Sequence, residues 1–208
     1  GYTCFTDARS LGNGGGSDHF DDAMGVALNG NAYGVSSGDW DGTSLTLSTV
    51  SFGNIEMYVE FMGSGPLMRQ IVTLTNTGAN TESANVSWQN NTGNDSSQRT
   101  IATGSGDLTE TADDRWIVTA DNNSGSDNEV NSWIFSGPDA NSLVPTSISM
   151  TDLSSTFGGA GDQGFSALFD LDLLAGETAS LMFFVGIEGI NQDGIDLAGN
   201  FNDTSSTF

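Results

Sequence analysis

Residues 54–62 read NIEMYVEFM. Ile55, Met57, Val59 and Phe61 alternate with Glu56, Tyr58 and Glu60. Successive side chains of a strand point to opposite faces, so this pattern is a half-buried strand with a wet back. The flanking segments keep the same period. Residues 43–52, TSLTLSTVSF, alternate through Leu45, Leu47 and Thr49. Residues 67–76, LMRQIVTLTN, lead through the turn NTGAN into 83–91, SANVSWQNN. The turn at Asn76, Thr77 and Gly78 predicts a hairpin.

Outward from there, the period of two recurs in RTIATGSG, RWIVTAD, NSWIFSG, TSISMTD, FSALFDLDL and SLMFFVGI, with Gly, Asn, Asp and Ser between. Short strands separated by turn residues predict an all-β fold, an antiparallel β-sandwich. One stretch breaks the period. In INQDGIDLAGNF, Ile190, Ile195, Leu197 and Phe201 recur at helix-like intervals. One short helix near the C-terminus is expected over 192–200, with Asn191 as N-cap and Asp193 in the first turn. Gly194 and Gly199 weaken it. Three prolines and no Pro/Ser-rich linker argue for a single β-sandwich domain over residues 18–208. Residues 1–17 read as an extended or flexible lead-in.

The chain has 27 acidic and 4 basic residues, a net charge of −23, and no lysine. The cations are Arg9, Arg69, Arg99 and Arg115. Phosphate contacts need a basic face, so nucleic acid is excluded as a partner, and an anionic membrane surface with it. No run approaches the ~20 apolar residues of a membrane span, so no membrane insertion is expected. The opening GYTCFTDARS shows no signal peptide and reads as a mature form or a segment of a longer polypeptide. Charge of one sign disfavours the compact state unless salt screens it or cations bind it, which points to a salty, calcium-rich exterior. Lacking lysine, the chain cannot form Lys–Asn isopeptide staples. Cys4 is the only cysteine, so no internal disulfide forms, although Cys4 could pair with another chain.

Calcium prefers six to eight hard oxygen ligands. Candidate ligands are Asp18, Asp21 and Asp22 in DHFDD, and Asp121, Asn123, Asp127 and Glu129 in DNNSGSDNE. Asn191, Asp193 and Asp196 form a third acidic turn. None completes an EF-hand spacing, and Asp and Asn also favour turns for their own backbone reasons. Residues 13–22, NGGGSDHFDD, approach one calcium nonapeptide of a β-roll, but that motif shares each ion between neighbouring repeats and does not recur here. Zinc lacks ligands, with one Cys and one His. His19 sits outside any G-x-S-x-G elbow, so no serine triad is supported. Glu56 and Glu60 face outward as solvated charge, and no acid is marked as catalytic. The chain is accordingly expected not to be an enzyme.

Trp116 and Trp133 lie in apolar strand patterns and are expected in the core. Trp40, between Asp39 and Asp41, is the tryptophan expected to contact a ligand, the three forming a candidate binding loop. Each arginine is expected to find a carboxylate.

Several motifs together resemble the modules of very large bacterial surface proteins. DHFDDAMGVALNGNAY resembles their module start, and RQIVTLTNTGANTESANVSW their ITNTG hairpin. NDSSQRTIATGSGD with TADDRWIVTAD is similar to their GSD…ADRWIVTDD segment, and LLAGETASLMFFVGI to their closing strand. The resemblance to these immunoglobulin-like, adhesin-type modules implies a secreted or cell-surface module for attachment or projection, calcium-stabilised, meeting an extracellular glycan or protein ligand. Two other readings stay open. One is a self-assembling subunit of a filament or layer, whose N-terminal segment adds to the sheet edge of a neighbouring copy. The other is a carbohydrate-active module, binding or hydrolytic.

Overall fold

Two antiparallel sheets face each other in the computed structural model, which describes residues 8–9, 18–92, 98–121, 129–139, 142–151 and 164–201. In chain order the strands are β1 (Ala8–Arg9), β2 (Asp18–Leu28), β3 (Asn31–Ala32), β4 (Gly38–Trp40), β5 (Ser44–Leu47), β6 (Val50–Phe52), β7 (Ile55–Ser64) and β8 (Leu67–Asn76). They continue with β9 (Glu82–Thr92), β10 (Gln98–Thr103), β11 (Trp116–Asp121), β12 (Val130–Ile134), β13 (Ser147–Thr151), β14 (Gly164–Leu173) and β15 (Thr178–Glu188). Helix α1 (Asn191–Asn200) follows. One sheet has six strands in the order β1-β2-β9-β14-β13, with β3 on β2. The other has nine in the order β10-β11-β12-β15-β8-β7-β5-β4, with β6 on β7. The all-β sandwich with one short C-terminal helix stands.

The opening stretch behaves as its pattern dictates. Ile55, Met57, Val59 and Phe61 are buried, while Glu56 and Tyr58 face out. Each buried apolar side chain of this size stabilises by about 1.5–3 kcal/mol. They meet Val26 and Leu28 of β2, Val86 and Trp88 of β9, and Phe165 and Phe169 of β14 in one core. Trp88 lies at its centre. Its ring stacks on Phe183 with centroids 4.7 Å apart and meets Phe165 edge-on at 5.6 Å.

The predicted hairpin at Asn76 is corrected. β8 and β9 belong to different sheets, so residues 77–81 form an arch across the sandwich. Asn76, fully buried, holds that arch. Its amide donates to the Asn80 and Leu173 carbonyls at 2.7 and 2.9 Å, and its carbonyl oxygen accepts the Gly78 N–H at 2.8 Å.

β12 is buried on both faces. Trp133 faces the sandwich core. Val130 and Ile134 face outward into a second cluster with Trp116, Val118 and Ala198, over which α1 lies. The helix covers the span expected, but Ile190 is its N-cap, with no side-chain cap bond, in place of the expected Asn191. Gly194 is what lets it lie so close, since a Cβ there would come within 2.5 Å of Val130 Cγ1.

The arginines divide. Arg69 pairs with Glu60 at 3.0 Å, as expected. Arg115 departs from the expectation and donates to the backbone carbonyls of Gly137 and Asp139, tying the turn after β12 to the start of β11.

Candidate functional site

The residues of β14 alternate between core and solvent. Phe165, Ala167 and Phe169 go inward, which sends Asp170 and Asp172 outward on one face. On β9 the same alternation buries Ala84 and Val86 and turns Ser83 and Asn85 outward. The register sets Asp170 against Asn85 and Asp172 against Ser83. Asn85 Nδ2 donates to Asp170 Oδ1 at 2.6 Å, and Ser83 Oγ to Asp172 Oδ1 at 2.7 Å.

Asn29 completes the group from the other side. It sits at the β2–β3 turn with a left-handed φ of 50°, a conformation Asn tolerates. Its backbone N–H donates to the Asn85 carbonyl at 2.8 Å, while its side-chain oxygen accepts the Asn85 N–H at 2.8 Å. These five polar residues, with Ala84 and Leu171, line an open cleft of about 250 Å3 on the back of the six-stranded sheet. Carboxylates and primary amides side by side can both accept and donate toward a hydroxyl-rich ligand.

The three residues of the expected binding loop take separate roles. Asp39 pairs with Thr46 across β4 and β5, and its side chain is exposed. Asp41 is engaged within its own turn. Its Oδ1 accepts the N–H groups of Thr43 and Ser44, both at 2.8 Å, and its Oδ2 accepts the Ser44 hydroxyl at 3.1 Å. Those bonds from Ser44 and Thr43 hold the carboxyl below the usual carboxylate range. Trp40 is 65% exposed at the edge of the nine-stranded sheet. The structure thus leaves Trp40 open to a ligand and assigns Asp41 to the hairpin.

The candidate calcium ligands are spread over two regions. Asp18, Asp21 and Asp22 fall on β2, with Asp22 opposite Asn91 in register. Asp121 ends β11 opposite Gln98, and Glu129 precedes β12. Asn123 and Asp127 lie outside the described residues. Among the described residues no three His, Cys, Asp or Glu side chains converge on a metal position. Glu188, at the end of β15, has its carboxyl raised by burial and then by the nearby Asp193.

The acidic stretch 103–116 is built around Asp114. This fully buried carboxylate accepts the N–H groups of Ser105 at 2.8 Å and Thr111 at 2.9 Å. The GSGD and ADDRW motifs are therefore two ends of one loop closed by a shared acid.

The cleft residues Asn29, Ser83, Asn85, Asp170 and Asp172 were not singled out by sequence reasoning. FSALFDLDL was read as a strand without assigning a face to its two aspartates, although its alternation puts both on one side. What the sequence lacked was the pairing of β14 with β9, strands about 80 residues apart in the chain.

No family model matches the chain, and no curated protein matches it. Solved structures share its fold. A polysaccharide lyase is 12% identical with a TM-score of 0.59, covering 93% of this chain and 32% of its own. A protein described as a kojibiose phosphorylase, from the human microbiome, is 11% identical with a TM-score of 0.50, covering 100% of this chain and 29% of its own. The chain thus spans about a third of each. The class that this likeness defines is one of fold, an antiparallel two-sheet β-sandwich. This corrects the expectation that the chain is not an enzyme, since the structures that share its fold are enzymes. Among the described residues no helix is long and apolar enough to cross a membrane.

Proposed function

We propose that the chain is the β-sandwich domain of a carbohydrate-active enzyme and contacts saccharide through the polar cleft of Asn29, Ser83, Asn85, Asp170 and Asp172. The observation that carries this reading is that cleft, whose amides and carboxylates suit sugar hydroxyls. The fold shared with a polysaccharide lyase and a kojibiose phosphorylase supports it. The charge narrows the ligand. A chain of −23 with two aspartates in the cleft repels uronate and sulfate groups, so the saccharide is neutral.

The same charge and the lack of lysine support an extracellular, saline setting, with calcium as the counter-cation. Metal content of the natively purified protein, with melting measured before and after EDTA in low salt, tests the calcium part. An unchanged melting temperature would remove it.

A glycan array spanning neutral and anionic polysaccharides tests the main reading. Retention of neutral glycans is expected, with at least a tenfold loss in Asp170→Ala and Asn85→Ala. No retained neutral glycan, or retention indifferent to both variants, would overturn it.

A further inference from the structure

β14 has an open edge beyond Leu168. Its pairing with β9 runs along 164–173, while β13 covers only 164–168. Among the described residues no strand pairs with the far side of 169–173. Alternation gives this bare stretch two unlike faces. Asp170 and Asp172 point out into the polar cleft, bonded to Asn85 and Ser83. Leu171, between them, packs from the other face against the sandwich core.

A second cleft opens on that other face. β12 follows β15 only as far as Ile134, opposite Phe184. The chain then turns away, and Phe135 and Ser136 donate their N–H groups to the Arg115 carbonyl. The gap left between 135–143 and 179–182 is about 480 Å3. Phe135, Leu143, Leu171 and Leu181 wall it, with Met182 at the rim. Ser136, 7% exposed within it, keeps a hydroxyl with no hydrogen-bond partner. Apolar walls around a few polar groups, at this size, are what a small-molecule site offers.

Leu171 lines both clefts. Another cleft, about 110 Å3 around Met24, Pro66 and Ile187, is also apolar but shares no residue with the polar one. Contiguity therefore singles out the larger. The geometry points to one amphiphilic ligand that bridges the two clefts across the bare edge of β14. It is a neutral glycoside whose sugar sits among Asn85, Asp170 and Asp172, and whose alkyl chain folds over 169–173 into the apolar cleft. This inference rests on the saccharide reading of the polar cleft and adds the class of aglycone.

The two halves divide the task. The polar cleft orients the sugar, because it both donates and accepts. The apolar cleft adds affinity, since each methylene that leaves water contributes about a fourfold gain. Pairing with β13 stops at Leu168, so no ladder stands between the two clefts along 169–173. An alkyl chain carries no charge, and a protein of −23 does not oppose it as it would a fatty carboxylate. The same charge keeps the chain off an anionic bilayer, so the glycoside is taken from solution.

Calorimetric titration with methyl and octyl glucosides, galactosides and maltosides, below the micellar concentration, tests this. For at least one sugar the octyl glycoside should bind roughly tenfold tighter, or more, than the methyl one. Leu143→Glu and Met182→Glu, at positions 40% and 46% exposed, should bring that ratio towards one. Asp170→Ala should weaken both glycosides of the pair. A ratio near one in the parent chain, or a ratio that survives both glutamate variants, overturns the bridging ligand and leaves the saccharide reading standing. Octyl binding that Asp170→Ala does not weaken shows uptake by the apolar cleft alone and overturns it too. No binding of any of the six removes the saccharide reading, and this inference with it. Should a glutamate variant fail to fold, the parent ratio and Asp170→Ala decide.

Discussion

Trp88 donates its indole N–H to Gln70 Oε1 at 2.9 Å, a fully buried bond that ties the two sheets together through their side chains. Gln70 passes the connection on, since its amide donates to the Met24 carbonyl at 2.7 Å. Met24 needs this help. The register of β2 against β9 slips between Asp22 and Gly25, and Met24 takes a left-handed φ of 61°. A bulge of this kind takes backbone groups out of the ladder. The Met24 N–H goes to Asn90 Oδ1 at 2.8 Å, and the Met24 carbonyl goes to Gln70. Gln70→Leu keeps the volume but strands the Trp88 N–H and the Met24 carbonyl in the core. Each stranded group costs about 1–3 kcal/mol. Urea unfolding should show a loss of about 2–5 kcal/mol at unchanged slope, and a loss under about 1 kcal/mol would count against the bridge.

The two helix glycines should respond in opposite directions. Gly194 lies against Val130, so Gly194→Ala gains helix propensity but drives a methyl into a packed wall. Overpacking of about 1–3 kcal/mol outweighs a propensity gain of about 1 kcal/mol. Gly199 has nothing within 4 Å of the position a Cβ would take. Gly199→Ala should therefore stabilise by roughly 0.5–1 kcal/mol. Paired melting curves check both signs, and equal shifts in the two variants would refute the packing argument.

These cases show what the sequence could and could not carry. Strict alternation made β7, β14 and β15 legible, because a core on one side and water on the other imposes a period of two. It also placed Trp133 inside. It did not distinguish a hairpin from an arch at Asn76, because NTGAN suits either, and the choice rests on which sheet receives β9. The burial of both faces of β12, which reads VNSWI, made sense only once α1 was seen to cover its outer face. The polar cleft was illegible for a related reason. Asn29, Asn85 and Asp170 come from the β2–β3 turn, β9 and β14, whose adjacency is a long-range pairing, and local periodicity carries no such information.

Trp40 offers a clean separation of binding from stability. Its neighbour Asp41 holds the turn, while the indole itself is 65% exposed. Trp40→Ala should change stability by about 0.5 kcal/mol or less, as exposed substitutions do. Asp41→Ala should lower the melting temperature, since Thr43 and Ser44 lose their acceptor. On the same glycan array, a drop in retention for Trp40→Ala would add this edge to the binding surface. Full retention would confine recognition to the cleft of Asp170.

Glu188 gives the pH dependence a sign. Burial, then Asp193, raises its carboxyl above the ordinary value, so the folded chain holds that proton more tightly than the unfolded chain. Between the two midpoints the folded state binds more protons, and stability falls as pH rises through that window. Above the folded midpoint the full penalty of a partly buried charge beside Asp193 remains. Glu188→Gln removes it. The variant should melt higher than the parent at pH 7. The difference should shrink on acidification and vanish below the ordinary glutamate value of about 4.3, where both states are protonated. Melting curves from pH 3 to pH 8 in constant salt measure this directly. A gap that stays constant across the range would show that Glu188 acts through packing and not through its charge.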